Sequence, residues 1–405
     1  MSSILLLGGS KQQVVAIEAA KRLGYRTVLC DYLPDNPGQY VADVFYQQST
    51  TDKQKMLEIA QLEGVSGVLA YSSDPAATTA AYVAERLGLP TNPLKSVEVL
   101  SEKHLFRKYL AGHGFPCPKS VPVAVGASAD EVLGVLLGEE MSFPVVIKPT
   151  DSSGSKGVSI IDAPDIEKFA RALKTAAGFS RNEVLILEEY IEYGFPRVIG
   201  GDVFVVDGEV RFWGLMSCLR DYRQGGLVPV GERSPSGLSD IQETRVREQV
   251  QALVTSLGIE FGELNVEIIV GKDDVPYFLE LGARAGGNMI PIQLSDLSGI
   301  DLVEANVRYA MGDRSMPIDF CGNGLAFSTY VLHADRAGIY RELRVSPEIV
   351  GHVYRTVMYV EPGDAVEPFD GANKALGIVF LSFDDEAQLE DACETLGNQI
   401  AVEID

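Results

Sequence analysis

The sequence predicts a multi-domain protein of α/β and α+β class: an open parallel sheet at the N-terminus, a central α+β core and a small C-terminal α+β subdomain. Three observations carry this. The chain has 405 residues, more than one ordinary hydrophobic core organises, so two or three domains are expected. Its composition, 46% hydrophobic and 22% charged, supplies enough apolar surface to fold rather than stay disordered. Strand-like and helix-period runs alternate near the N-terminus, the pattern of a parallel sheet with helical crossovers.

Taken in order, Ile4 to Leu7 is an apolar strand leading into Gly8-Gly9-Ser10. Helical periodicity then runs from about Gln12 to Leu23, where Gly24 provides a stop, and Thr27 to Asp31 reads as the next strand. Val65 to Tyr71 and Pro75 to Leu87 repeat strand and helix, closed by Gly88. Residues 1–98 are therefore expected to form the parallel sheet. Gly8-Gly9 with Asp31 suggests a dinucleotide fingerprint, but the third glycine of G-x-G-x-x-G is missing, which disfavours NAD. A helix from Ser101 to Gly112 leads to Pro116-Cys117-Pro118, a boundary signal. Residues 99–312 form the expected central domain, in which 117–190 reads as strand, loop, strand, helix, strand. Strands at Val203 to Val206 and Val210 to Leu215 follow, then a helix at Glu243 to Leu257 and two strands around Lys272 to Pro276. Residues 313–405 read as strands plus a helix at Asp385 to Leu396.

Charge and cysteine usage narrow the function. The formal charge of −23 argues against nucleic acid and anionic membranes as partners, though a local cationic pocket is still allowed because charges beyond about 8 Å are largely screened. No charge-poor run approaches the roughly 20 residues that span a bilayer, and Met1-Ser2-Ser3 enters the first strand without a basic flank. The five cysteines are scattered without CxxC spacing, and the four histidines lack HExxH spacing. A reducing, cytoplasmic setting is expected, with neither a disulfide framework nor a zinc site.

Two segments carry chemistry. Val145-Val146-Ile147-Lys148-Pro149 is an apolar strand ending in a lysine that Pro149 keeps extended. The loop after it holds Ser152, Ser153, Gly154, Ser155, Lys156 and Gly157; small residues let backbone N–H groups curl round an anion, as a polyphosphate requires. An ordinary hairpin loop is the bland alternative, and the lysine on the preceding strand favours phosphate. The second segment is Glu263 to Val270 followed by Tyr277 to Leu281. A turn centred on Asp273-Asp274 sets Glu267 opposite Glu280, where like charges destabilise the ladder unless a divalent cation offsets them. Solvation of both carboxylates is the alternative. Arg284 follows four residues beyond Glu280 in a glycine-rich turn, and fixed cations beside Mg²⁺ suit phosphoryl transfer.

Together these residues resemble the ATP-grasp superfamily over most of the chain. Lys103 matches its first lysine, Lys148 the second, Ser152 to Gly157 its mobile lid loop within 117–190, and Glu188-Glu189-Tyr190-Ile191 the hinge that binds adenine through backbone groups. Glu267 and Glu280 match the metal carboxylates, and Arg284 the arginine beside the transferred phosphoryl. The flanking regions look like the branch that includes biotin carboxylase, glycinamide ribonucleotide synthetase and amino acid ligases. Two positions depart. Gly282 stands where the family usually has a metal-ligating Asn, with Asn265 and Asn288 as candidate substitutes. An acid for the ribose hydroxyls is not evident, with Glu192 and Asp202 as candidates.

The resemblance implies an ATP-dependent carboxylate–amine ligase that works through an acyl phosphate and releases ADP and phosphate. Its cofactors are ATP and Mg²⁺, with Mn²⁺ as the alternative ion. Its substrates are a small-molecule carboxylate and an amine, with amino acids favoured, and a homodimer is a family expectation. Arg220 and Arg223 beside Tyr222 are candidate carboxylate clamps, joined by Arg284, Gly286 and Gly287, and Glu232 is a candidate proton acceptor. The competing readings are bicarbonate activation of the biotin carboxylase or carbamoyl-phosphate kind and a non-catalytic ATP-binding protein.

Overall fold

The computed structural model describes residues 2–152, 155–220 and 228–405. The N-terminal sheet is built from β1 (Ser3–Leu7), α1 (Val14–Arg22), β2 (Arg26–Asp31), β3 (Val44–Gln47), α2 (Lys53–Glu63), β4 (Gly67–Leu69) and α3 (Asp74–Leu87). Its strands run in the order β3-β2-β1-β4, all parallel, and their apolar runs are covered on both faces, as parallel sheets require. Neither β3 nor α2 stands out in the sequence. β3 is four residues long, and α2 buries only Met56, Leu57, Ile59 and Ala60 from an Asp52 cap to Gly64 at φ 57°.

The Gly8-Gly9-Ser10 turn is satisfied from within. Asp31 Oδ2 accepts from Gly9 N at 2.7 Å and Gln13 Oε1 from Ser10 N at 2.9 Å, while a Cβ on Gly9 would lie 2.2 Å from Asn36 Oδ1. Its donors therefore already have protein partners.

The helix expected from Ser101 to Gly112 is α5 (Lys103–Gly112), and a further helix, α4 (Leu94–Ser101), precedes it. The next unit comprises β5 (Ser120–Ala124), α6 (Ala129–Gly138), β6 (Val145–Pro149), β7 (Ser159–Ile161), α7 (Ile166–Ala177) and β8 (Val184–Glu189). Its antiparallel sheet has the order β5-β8-β6-β7, and both helices pack on Val145, Ile147, Leu185 and Leu187.

The central elements are β9 (Ile199–Val206), β10 (Glu209–Arg220), β11 (Pro229–Ser234), α8 (Asp240–Leu257), β12 (Phe261–Val270), β13 (Pro276–Gly282), α9 (Ile290–Ser298) and α10 (Leu302–Ala310). After them come β14 (Ala326–Leu332), β15 (Gly338–Val345), β16 (Val353–Met358), β17 (Ala365–Val366), β18 (Gly377–Phe383), α11 (Glu386–Cys393), α12 (Leu396–Gln399) and β19 (Ile400–Ile404). Eight strands form one antiparallel sheet in the order β13-β12-β9-β10-β11-β14-β18-β16, so the residues after 312 contribute three of its strands. Strand alternation divides the faces: Val203 and Val205 meet Val246, Val250, Leu253 and Val254 of α8, while Phe204 meets Leu294 and Tyr309 of α9 and α10. A Ser239–Gln242 capping box starts α8, and Gly258 at φ 63° ends it. No helix among the described residues is long and apolar enough to cross a membrane.

Candidate active site

A cleft of about 980 Å³, counting the part open to solvent, lies between the β5–β8 unit and the β12–β13 hairpin. β6 delivers Lys148 into it, and β8 delivers Glu188 from the adjacent strand. Lys148 Nζ lies 2.5 Å from Glu188 Oε2, and Arg107 Nε lies 2.7 Å from Glu188 Oε1. Arg107 also donates to Leu279 O at 2.9 Å, tying α5 and β8 to the β13 hairpin. Burial raises the Glu188 carboxyl, but the Arg107 and Lys148 charges outweigh it and bring the group down to about 2. Lys148 is itself shifted down, first by burial and then by Arg107, against the pull of Glu188. One carboxylate shared between two cations leaves the lysine short of negative charge, which a phosphate would supply.

On the facing wall, Glu267 of β12 is paired directly with Glu280 of β13. Burial first and then the Glu280 charge hold the Glu267 carboxyl above its ordinary value. Lys103 Nζ stands 3.4 Å from Glu280 Oε2 and donates to Ser152 O at 2.6 Å. Arg220, at the end of β10, lines the same cleft. Among the described residues no group of three or more His, Cys, Asp or Glu is placed to hold a metal. Two facing carboxylates still fit Mg²⁺, which binds through one or two carboxylates, waters and substrate phosphates.

The hinge residues Glu188, Glu189, Tyr190 and Ile191 line the cleft. Glu189 N donates to Lys119 O at 3.0 Å and Tyr190 N to Pro144 O at 3.1 Å. In the loop, Ser152 and Ser155 face the cleft but Lys156 and Gly157 do not. The Lys156 stem reaches Gly371, and Gly157, at φ 77°, packs on Pro149 and Phe179. Ser153, Gly154 and Arg223 lie outside the described residues.

The glycine-rich turn differs most from expectation. Arg284 does not line the cleft; its Nε lies 2.5 Å from Asp74 Oδ1 and its Nη2 2.8 Å from Asp74 Oδ2. Gly286 N donates to Asp202 Oδ2 at 2.8 Å and Gly286 O accepts from Ser72 Oγ at 2.7 Å. Both backbone polar groups of Gly286 are therefore engaged, and neither it nor Gly287 lines the cleft. Asn265, opposite Gly282 in the register, donates to Asp202 Oδ1 at 2.8 Å and Gly201 O at 3.1 Å. Asp202 is fully buried, so it cannot face a ribose, and Glu192 is exposed and paired with Lys272 at 2.6 Å. Asn288 N donates to Gln12 Oε1 at 2.7 Å. Glu232 is buried opposite Cys218 and does not line the cleft; burial, aided by the Glu267 charge against a Cys218 hydrogen bond, pushes it up to about 8.

Sequence reading missed Arg107 and Asp74. Arg107 had a signal, since it lies four residues after Lys103 on one helix face. Asp74 had none beyond its place at the start of a helix.

Residues 102–316, a little over half of the chain, match the family described as carbamoyl-phosphate synthase L chain, ATP binding domain. The chain belongs to this family. Within it, a carbamoyl phosphate synthase large chain from Thermotoga sp. (strain RQ2) is 26% identical over 310 residues, covering 75% of this chain and 27% of that protein. The chain thus spans about a quarter of the length of the carbamoyl phosphate synthase relatives. A formate-dependent phosphoribosylglycinamide formyltransferase from Synechococcus sp. (strain WH7803) is 27% identical over 344 residues, covering 83% of this chain and 82% of that one. The L-amino acid ligase of Bacillus licheniformis shares the ATP-grasp fold with a TM-score of 0.80 at 18% identity, covering 100% of this chain and 99% of that one.

Proposed function

We propose that the protein is an ATP-grasp ligase that joins a small carboxylate to an amine, with amino acids as the favoured substrates and Mg²⁺ as the metal. The observation that carries this is one cleft in which the Glu267–Glu280 pair faces Lys103 and Lys148. Family membership and the likeness to an amino acid ligase support it.

In this reading Glu267 and Glu280 hold Mg²⁺, which when bound neutralises charge on the phosphate oxygens. Lys148 and Lys103 bind the phosphates, and Ile191 N–H meets the adenine. A substrate carboxylate oxygen attacks the γ-phosphorus as the bond to the ADP oxygen breaks. The amine nitrogen then attacks the acyl carbon, the carbon–oxygen bond to phosphate breaks, and the ammonium proton passes to solvent or a nearby carboxylate. The cationic side chains stabilise charge on the moving phosphoryl group, and Arg220 supplies a guanidinium for the organic carboxylate.

The test is a phosphate-release screen of amino-acid pairs with Mg-ATP, with bicarbonate as a parallel arm because the family includes carbamoyl phosphate synthase relatives. Amine-dependent ADP release with an amide product is expected, and Lys148→Ala should abolish it while circular dichroism stays native. Bicarbonate-dependent ADP release without an amine would favour the other activation chemistry, and near-normal turnover in Lys148→Ala would overturn the site.

A further inference from the structure

Arg284 takes its partner from the N-terminal sheet domain. Asp74, the first residue of α3, meets it in a two-point fork at 2.5 and 2.8 Å, and Arg284 Nη1 donates to Ala285 O at 3.0 Å. The two side chains are 11% and 22% exposed. Three of the five guanidinium N–H bonds are thus fixed, which sets the plane of the group and leaves two for an anion.

The same pair accounts for Gly282. A Cβ there would lie 3.2 Å from Asp74 Oδ1 and 3.3 Å from Arg284 Nε. That is tighter than ordinary contact, so a side chain there would push the fork by a few tenths of an ångström. A side chain at position 282 and the undisturbed Asp74–Arg284 fork therefore compete for the same space. Two further contacts join the same domains, Ser72 to Gly286 O and Asn288 N to Gln12, so the N-terminal domain holds the whole turn that follows Glu280.

We propose that Asp74 is a positioning residue for Arg284, fixing from another domain the guanidinium that follows the Glu267–Glu280 pair, and that Gly282 is small to admit it. The catalytic consequence rests on the ligase reading; the pair itself does not. Removing the fork lets the guanidinium turn, and a misplacement of about 1 Å, even one set by a residue far from the chemistry, costs rate on the order of 10²-fold.

Two measurements test this. In ¹⁵N-labelled protein the Arg284 Nε–H resonance, assigned by its loss in Arg284→Lys, should be shifted and slow to exchange, and should revert to the position of a free arginine in Asp74→Asn. In ADP-release assays Asp74→Asn and Gly282→Asn should each lower kcat on the order of 10²-fold with unchanged Mg-ATP affinity. The double variant should be no slower than either single, and Asp74→Glu should recover part of the rate. An unshifted resonance, a native kcat in Asp74→Asn or additive losses in the double variant would overturn the proposal. If the wild type releases ADP with no substrate pair, the ligase reading and the rate consequence fail together, while the resonance still decides whether Asp74 holds Arg284.

Discussion

Glu188 holds two buried cations, and its side chain is 3% exposed, so removing its charge leaves Arg107 and Lys148 with no carboxylate between them. Breaking a buried pair in this way costs about 3–5 kcal/mol, and Glu188→Gln should lower stability to urea by that order. The pH dependence follows in sign. A carboxyl whose folded value is about 2 against an ordinary 4.5 stabilises the fold fully above 4.5, and that stability is lost as pH falls toward 2, on the order of 3 kcal/mol in all. Urea midpoints between pH 7 and pH 3 should show a falling limb in the wild type that is shallower in Glu188→Gln; superimposable limbs would refute the assignment. At this scale the sequence was legible where chemistry and position coincide. Lys148 could be found because an apolar strand ending in Lys-Pro must aim its ammonium somewhere. Asp74 and Arg284 are 210 residues apart, and nothing local in either segment encodes their meeting.

The β12–β13 hairpin shows how an element can be read correctly from an incomplete premise. A turn centred between Asp273 and Asp274 sets Glu267 opposite Glu280, and the structure has that pairing. The ladder nearest the turn, however, pairs Val270 with Pro276 and so centres on Asp273, and a bulge between Glu267 and Ile268 restores the register by one residue. Alternation carried the reading because a one-residue slip would expose the buried face; the bulge left no mark in residue type. Two carboxylates directly opposed cost the metal-free hairpin about 0.2–1 kcal/mol. The raised Glu267 group, pushed up by burial and by Glu280, therefore favours the fold as pH falls through its folded value, opposite in sign to Glu188. Glu280→Gln should be slightly more heat-stable than the wild type without metal, and should lose the rise in Tm that Mg-ATP gives the wild type. Differential scanning fluorimetry with and without Mg-ATP measures both, and a full Mg-ATP shift in the variant would rule out Glu280 as a ligand.

At the scale of the molecule, the central sheet runs without a break from β13 to β16, and β11 pairs with β14 across the 312 boundary. Sequence order conceals this, since β9 lies between β10 and β12 and the strands after residue 312 insert beyond β11. The seam is also bound by charge. Arg233 of β11, 1% exposed, lies 2.8 Å from Glu386 of α11, and it and Arg197 both contact Glu390. A chain ending at residue 312 would bare the edge of β11, an unpaired edge open to aggregation, and leave Arg233 without its acids. It would also remove the cover that β14 and α11 give Leu219 and Val230. Residues 1–312 alone should therefore be recovered as aggregate or unfold without a cooperative transition, although they contain every residue placed in the cleft. Recovery of a monodisperse 1–312 fragment with wild-type affinity for Mg-ATP would show that the final strands are an accessory layer. Loss of binding together with loss of cooperativity would show that the β12–β13 wall of the cleft is rigid only as part of the full eight-stranded sheet.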